Sequence, residues 1–119
     1  MPYLKIQTNE VISAELEQKL LREASFLVAS ELGKAEKYVM VNIEPTRSMF
    51  FAGTDAPAAY LELKSIGLME SKQPEEKTKT LSAALCKLIN DCISIPTDRI
   101  YIEFADAPRS MWGWNSTTF

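Results

Sequence analysis

The chain begins Met1-Pro2, and initiator methionine is usually trimmed when a small residue follows it. Trimming would leave the secondary amine of Pro2 at the head of the chain. An ordinary α-amino group titrates at roughly 7.7 to 8.0. An apolar, partly closed pocket lowers that value because desolvation disfavours the charged form, so such an amine can serve as a general base near neutral pH. The pyrrolidine ring also fixes its direction, which a primary amine on a loose terminus lacks. The chain has no histidine, so the commonest general base and metal ligand is missing. Acid–base chemistry must then come from a shifted carboxylate, a lysine, a cysteine or the terminal amine. Taken by itself, Pro2 also fits an unremarkable terminus.

Other residues carry similar double readings. Lys34 follows Gly33 where a helix should end, and a cation there is favoured by the helix dipole; it equally fits an anchor for a substrate carboxylate. Tyr38 and Tyr101 fit core or interface aromatics as well as a site. Trp112, Trp114 and Phe119 crowd the last eight residues, consistent with a docked tail or with a pocket for an aromatic substrate. Cys86 and Cys92 lie six residues apart on one predicted helix, on different faces, and fit neither a disulfide framework nor a metal site. No metal or cofactor is expected.

The elements that must position these residues are legible from periodicity. Tyr3 to Thr8 is short and β-favouring. Ser13 is an N-cap with Glu15 and Glu17 in the first turn, and Leu16, Leu20, Ala24, Leu27, Val28 and Leu32 recur at helical steps until Gly33. A helix is expected over about Ser13 to Leu32. A strand is expected over Tyr38 to Glu44, closed by Pro45, and a short extra one at Met49 to Ala52. The same order then repeats: a strand near Ala58 to Ile66, a helix with apolar positions Leu81, Ala84, Leu85, Leu88, Ile89 and Cys92, and a strand from Arg99 to Ala105. Glu70 to Lys79 reads as the solvated approach to the second helix, with Pro74 near its first turn.

The predicted fold is therefore of the α/β (α+β) class. Two βαβ repeats form one four-stranded mixed sheet, with both helices on one face. The other face would carry Lys5, Gln7, Asn42, Glu44, Tyr60, Glu62, Lys64, Tyr101 and Glu103. Aromatics and Ile66 among the charges favour a subunit interface over plain solvent exposure there.

At 119 residues a single domain, residues 1–119, is expected. Sixteen acidic against thirteen basic residues, with no basic stripe, argue against a nucleic-acid partner. The charges at Lys5, Glu10, Glu15, Glu17 and Lys19 leave no apolar core for a secretory signal. No stretch reaches transmembrane length. A cytoplasmic, reduced protein without a membrane partner is the default expectation.

Pro2-Tyr3-Leu4, Gly33-Lys34, Ser65-Ile66-Gly67, Asp98-Arg99-Ile100-Tyr101-Ile102 and Gly113-Trp114-Asn115-Ser116-Thr117-Thr118-Phe119 resemble, in order and spacing, the macrophage migration inhibitory factor and D-dopachrome tautomerase family. The resemblance implies a homotrimer of the doubled βαβ unit, with sites at subunit boundaries. It implies that Pro2 is the base in keto–enol tautomerisation of phenylpyruvate-type aromatic 2-keto acids. Lys34 and the backbone of Ile66 would bind the substrate's carboxylate and oxygen. Tyr101 would come from the neighbouring subunit, and Tyr38, Trp114 and Phe119 would wall the ring. The sequence departs from the family's cytokine member in three places. Ala58 and Leu61 stand in place of its Cys-x-x-Cys, so thiol–disulfide activity is not expected. Glu103 replaces an asparagine beside the substrate, where a carboxylate repels an anion unless paired or protonated. Trp112 replaces a smaller aliphatic residue and would narrow the pocket. Two further readings accompany the enzyme: a signalling or host-modulating protein, exported without a leader and acting by receptor binding, and a trimeric scaffold without activity.

Overall fold

Strand alternation and helical periodicity meet in one apolar layer. The computed structural model describes residues 1–119. Its main sheet is built from β1 (Tyr3–Thr8), β2 (Met40–Glu44), β3 (Ala59–Ile66) and β4 (Ile100–Ala107), in the order β2-β1-β3-β4. β1 and β2 are parallel, as are β3 and β4, and the two halves join antiparallel through β1 and β3. This is the mixed sheet expected for two βαβ repeats. Leu4 and Ile6 of β1, Leu61 and Leu63 of β3, and Ile100 of β4 share one face. Against it pack Leu20, Ala24 and Val28 of α1 (Ala14–Leu32) with Leu81, Leu85 and Ile89 of α2 (Pro74–Ile93). Each fully buried leucine or isoleucine in this layer contributes on the order of 1.5–3 kcal/mol.

The helix ends follow from local chemistry. Ser13 Oγ accepts the Leu16 N–H at 3.2 Å, and Gly33, at φ 62°, donates its N–H back to the last turn of α1. Pro74 opens α2 where its missing N–H costs nothing. Buried Thr8 is satisfied, its hydroxyl donating to the Ala58 carbonyl at 2.8 Å and accepting the Glu10 N–H at 3.1 Å.

The structure departs from the sequence reading at several boundaries. Tyr38 lies outside β2, in a 3-10 turn over Glu36–Tyr38, which frees its ring from the alternation of a strand. Met49 to Ala52 is not a strand; Phe51 and Thr54 form one antiparallel bridge across a tight turn whose middle residues, Ala52 and Gly53, have φ of 53° and 77°. β4 begins one residue after Arg99, which belongs to the 3-10 turn Thr97–Arg99, and runs on to Ala107. The crowded C-terminus forms a hairpin of β5 (Gly113–Trp114) and β6 (Thr117–Thr118), elements too short to show a period in the sequence. Asn115 and Ser116 supply its positive φ values of 51° and 65°, the conformation a tight two-residue hairpin turn requires.

The sheet face away from the helices is charged and internally paired. Lys5 lies 3.2 Å and Lys64 3.9 Å from Glu62. The Tyr60 hydroxyl sits 2.5 Å from Glu103 and 3.1 Å from Glu62. Lys5, ahead of the other neighbours, holds Glu62 below the usual carboxylate range. The Tyr60 phenol is pushed up, chiefly by its hydrogen bond to Glu103.

Candidate active site

β1 starts beside the end of β3, where Tyr3 faces Lys64. The residue before it, Pro2, is buried, and its carbonyl accepts the Met40 N–H at 2.9 Å. The amino terminus is thereby tied to β2 and opens into a cleft of about 200 Å³ lined by Met1, Pro2, Tyr38, Trp112, Trp114 and Phe119, with Tyr3, Met40 and Gly113 completing it. The C-terminal hairpin supplies one wall. Trp114 stacks on Phe119 with ring centres 5.5 Å apart, and the edge-on ring of Tyr38 meets them at 5.5 and 5.7 Å. The Phe119 N–H donates to the Trp112 carbonyl at 3.2 Å, so Trp112 and Phe119 are fixed by the same fold of chain. Two larger hollows, of about 330 Å³ around Glu31 and Lys77 and about 390 Å³ around Asn9 and Phe50, have more polar linings and do not include the amino terminus.

With Met1 in place the terminal amine donates to the Tyr38 carbonyl at 2.6 Å. Its pKa lies below the ordinary 8.0, first because burial disfavours the ammonium and second because Lys34 repels it. Lys34 Nζ in turn donates to the Ile66 carbonyl at 3.3 Å. An amine inclined to be neutral and a fixed ammonium thus stand close together at one end of the sheet. That pairing can take a proton from carbon and hold negative charge on oxygen.

Of the residues singled out in the sequence, Pro2, Tyr38, Trp112, Trp114 and Phe119 come together in the cleft, and Lys34 and Ile66 pair with each other beside it. Tyr101 and Glu103 do not join them within the chain. Tyr101 faces Tyr60, four residues along β3 from Lys64, or about 13 Å at the usual strand rise. It is 65% exposed and its ring meets Phe51 at 4.7 Å. Glu103 is held by Tyr60 rather than by a cation. Phe51 and the clamp of Arg99 on the carbonyls of Phe51, Ala56 and Pro57 escaped sequence reading; the proximity of Arg99 to Tyr101 in the chain was their one signal.

No group of three or more His, Cys, Asp or Glu side chains has the arrangement of a metal site. Cys92 donates to Glu23 at 3.1 Å, and burial followed by that carboxylate pushes its thiol up to about 11. Burial raises Cys86 as well. Neither thiol is poised as a nucleophile. No helix is long and apolar enough to cross a membrane.

Comparison with known proteins gives one consistent result. The family model of macrophage migration inhibitory factor (MIF) matches residues 1–119. A MIF homolog of Trichuris trichiura is 40% identical over 119 residues, covering 100% of both chains. The MIF of Mus musculus is 34% identical, covering 100% of this chain and 99% of its own. The crystal structure of a MIF homologue from Prochlorococcus marinus superposes with a TM-score of 0.90 at 39% identity, covering 98% of each chain.

Proposed function

We propose that this chain, which belongs to the macrophage migration inhibitory factor family, is a keto–enol tautomerase of phenylpyruvate-type aromatic 2-keto acids, with Pro2 as general base after loss of Met1. The observation that carries the reading is the amino terminus itself. With Met1 present it ends in an aromatic cleft, where both burial and Lys34 disfavour the charged form of the Met1 amine, and Pro2 lines the same cleft. Removal of Met1 converts the Pro2 nitrogen from an amide into an amine and vacates the space that Met1 takes up.

The reaction follows from the groups present. The Pro2 amine takes a proton from the carbon next to the substrate's carbonyl; the electron pair of that C–H bond forms the carbon–carbon double bond, and the π pair of the carbonyl moves to its oxygen. The ammonium of Lys34 stabilises the resulting negative charge and the carboxylate, with the backbone at Ile66 holding the other side. Return of a proton to oxygen completes the enol, and the reverse path gives the ketone. Tyr38, Trp114 and Phe119 flank the aromatic ring, and Trp112 limits its size. Tyr101 and Glu103 reach this cleft from a neighbouring copy in a homotrimer. The exposure of both, with Tyr101 at the far end of the strand and Glu103 at its middle, supports that assignment.

Phenylpyruvate ketonisation by mass-verified protein lacking Met1 tests the reading, with Pro2→Gly and a Met1-retaining form as controls. Turnover by the trimmed chain should fall at least about a hundredfold in both controls, the range lost with a general base. Absence of turnover in the trimmed chain would favour the receptor-binding reading instead.

A further inference from the structure

The turn that follows β3 has an unusual support. Leu68–Glu70 forms a short 3-10 turn whose leading residue, Gly67, has φ of 73° and no side chain with which to cap it. Its first amides would otherwise be left to solvent. They are taken up from the neighbouring strand: Asp106 Oδ1 accepts the Leu68 N–H at 2.9 Å and Oδ2 accepts the Met69 N–H at 3.4 Å. The same Oδ1 accepts the Ala107 N–H at 2.9 Å, which fixes the carboxylate to its own strand. Ser65 faces Asp106 and Ile66 faces Ala107 across the sheet. The carboxylate therefore sits at the corner where the chain leaves the sheet.

That corner presents the Ile66 carbonyl, to which the Lys34 ammonium is bound. We infer that Asp106 is a positioning residue: by capping the Gly67–Met69 corner from β4, it fixes the Ile66 carbonyl and so aims the Lys34 ammonium at the substrate's carboxylate. The inference rests on the tautomerase reading only for the identity of the anion. Asp106 touches neither substrate nor base. Its loss weakens anchoring of the carboxylate and leaves proton transfer at Pro2 in place.

The test compares Asp106→Ala and Asp106→Asn in the protein lacking Met1. Phenylpyruvate is one substrate and its methyl ester, which has no carboxylate charge, is the other. Asp106→Ala should raise KM for the acid about tenfold, the scale of one misplaced charge-assisted contact, with a smaller loss in kcat because Lys34 also meets the charge that develops on oxygen. The ester should keep its KM within about twofold. Asp106→Asn retains the Oδ1 acceptor and should recover most of the loss. Amide exchange at Leu68 and Met69 should quicken in Asp106→Ala while α1 and α2 stay protected, which separates a loosened corner from a misfolded chain.

Equal losses on acid and ester, or an unchanged KM for the acid, would overturn the assignment. Quenching of tryptophan fluorescence by phenylpyruvate reads anchoring without turnover. If the unmutated chain binds the acid but does not turn it over, the tautomerase reading fails while the tenfold weakening in Asp106→Ala still upholds Asp106. If the unmutated chain does not bind the acid, the Asp106 assignment falls.

Discussion

The charge state of the amino terminus is set by two neighbours of different kinds, and they can be separated. Burial removes water from the ammonium whatever the sequence nearby, whereas the repulsion depends on one side chain, Lys34. Lys34→Met should therefore move the midpoint of the terminal amine upward, toward the ordinary 8.0, without reaching it. A nitrogen-15 NMR titration of the amine reads this directly, and an unchanged or lowered midpoint would contradict it. The linkage has a definite sign. The folded chain binds this proton less readily than the unfolded chain, so below the folded midpoint the group opposes folding. Stability from this group then rises with pH toward 8.0 and levels off above it. Urea unfolding between pH 6 and pH 9, compared with Lys34→Met, should show a shallower rise in the variant.

At the scale of elements, the loop from Phe51 to Pro57 is held by two side chains, Asn9, whose amide donates to the Asp55 and Ala56 carbonyls at 3.1 and 3.0 Å, and Arg99. Arg99 donates to Pro57 at 2.8 Å, Ala56 at 3.0 Å and Phe51 at 3.1 Å, and its guanidinium lies 5.2 Å from the centre of the Phe51 ring. Arg99→Ala leaves the Pro57 carbonyl without its donor, while Asn9 still holds Ala56 and the Thr54 N–H still holds Phe51; it should cost about 1–2 kcal/mol in urea unfolding, with amide exchange rising across the loop. Arg99→Lys should recover little, because an ammonium cannot reproduce the planar fork. The clamp also shows where sequence reading stops. α1 was legible to its caps, since Ser13 and Gly33 act locally and the apolar steps between them need no distant partner. The strands were legible because Leu4, Ile6, Leu61 and Leu63 alternate with Lys5, Tyr60, Glu62 and Lys64. The bridge at Phe51 and Thr54 was misread because an apolar run, Met49 to Ala52, has strand composition but no partner in register. The cap of Asp106 on Leu68 joins residues 38 positions apart, and no local period records such a bond. The chemistry of Pro2 and Lys34 raised them as candidates, family resemblance added the backbone of Ile66, and only the folded chain brings Lys34 to the Ile66 carbonyl.

For the whole molecule, the decisive fact is that Tyr101 and Glu103 lie on the wrong part of their own chain to meet Pro2. Phe50, 79% exposed, and Tyr101 leave apolar surface at the Arg99 end of the sheet, and a second copy seated there would cover it. In a homotrimer each cleft would then combine the Pro2 of one copy with the Tyr101 of another. Such an arrangement predicts complementation. Pro2→Gly and Tyr101→Ala chains, each inactive alone, should regain turnover when unfolded together in equal amounts and refolded. With random assembly of three copies, each cleft has an even chance of an intact Pro2 and an even chance of a neighbour's intact Tyr101, so roughly a quarter of normal activity should return. Sedimentation should give a species of three times 13.4 kDa for each variant and for the mixture. Activity that stays absent in mixed trimers would mean that Tyr101 does not serve a neighbour's cleft, and the site would then have to be complete within one chain.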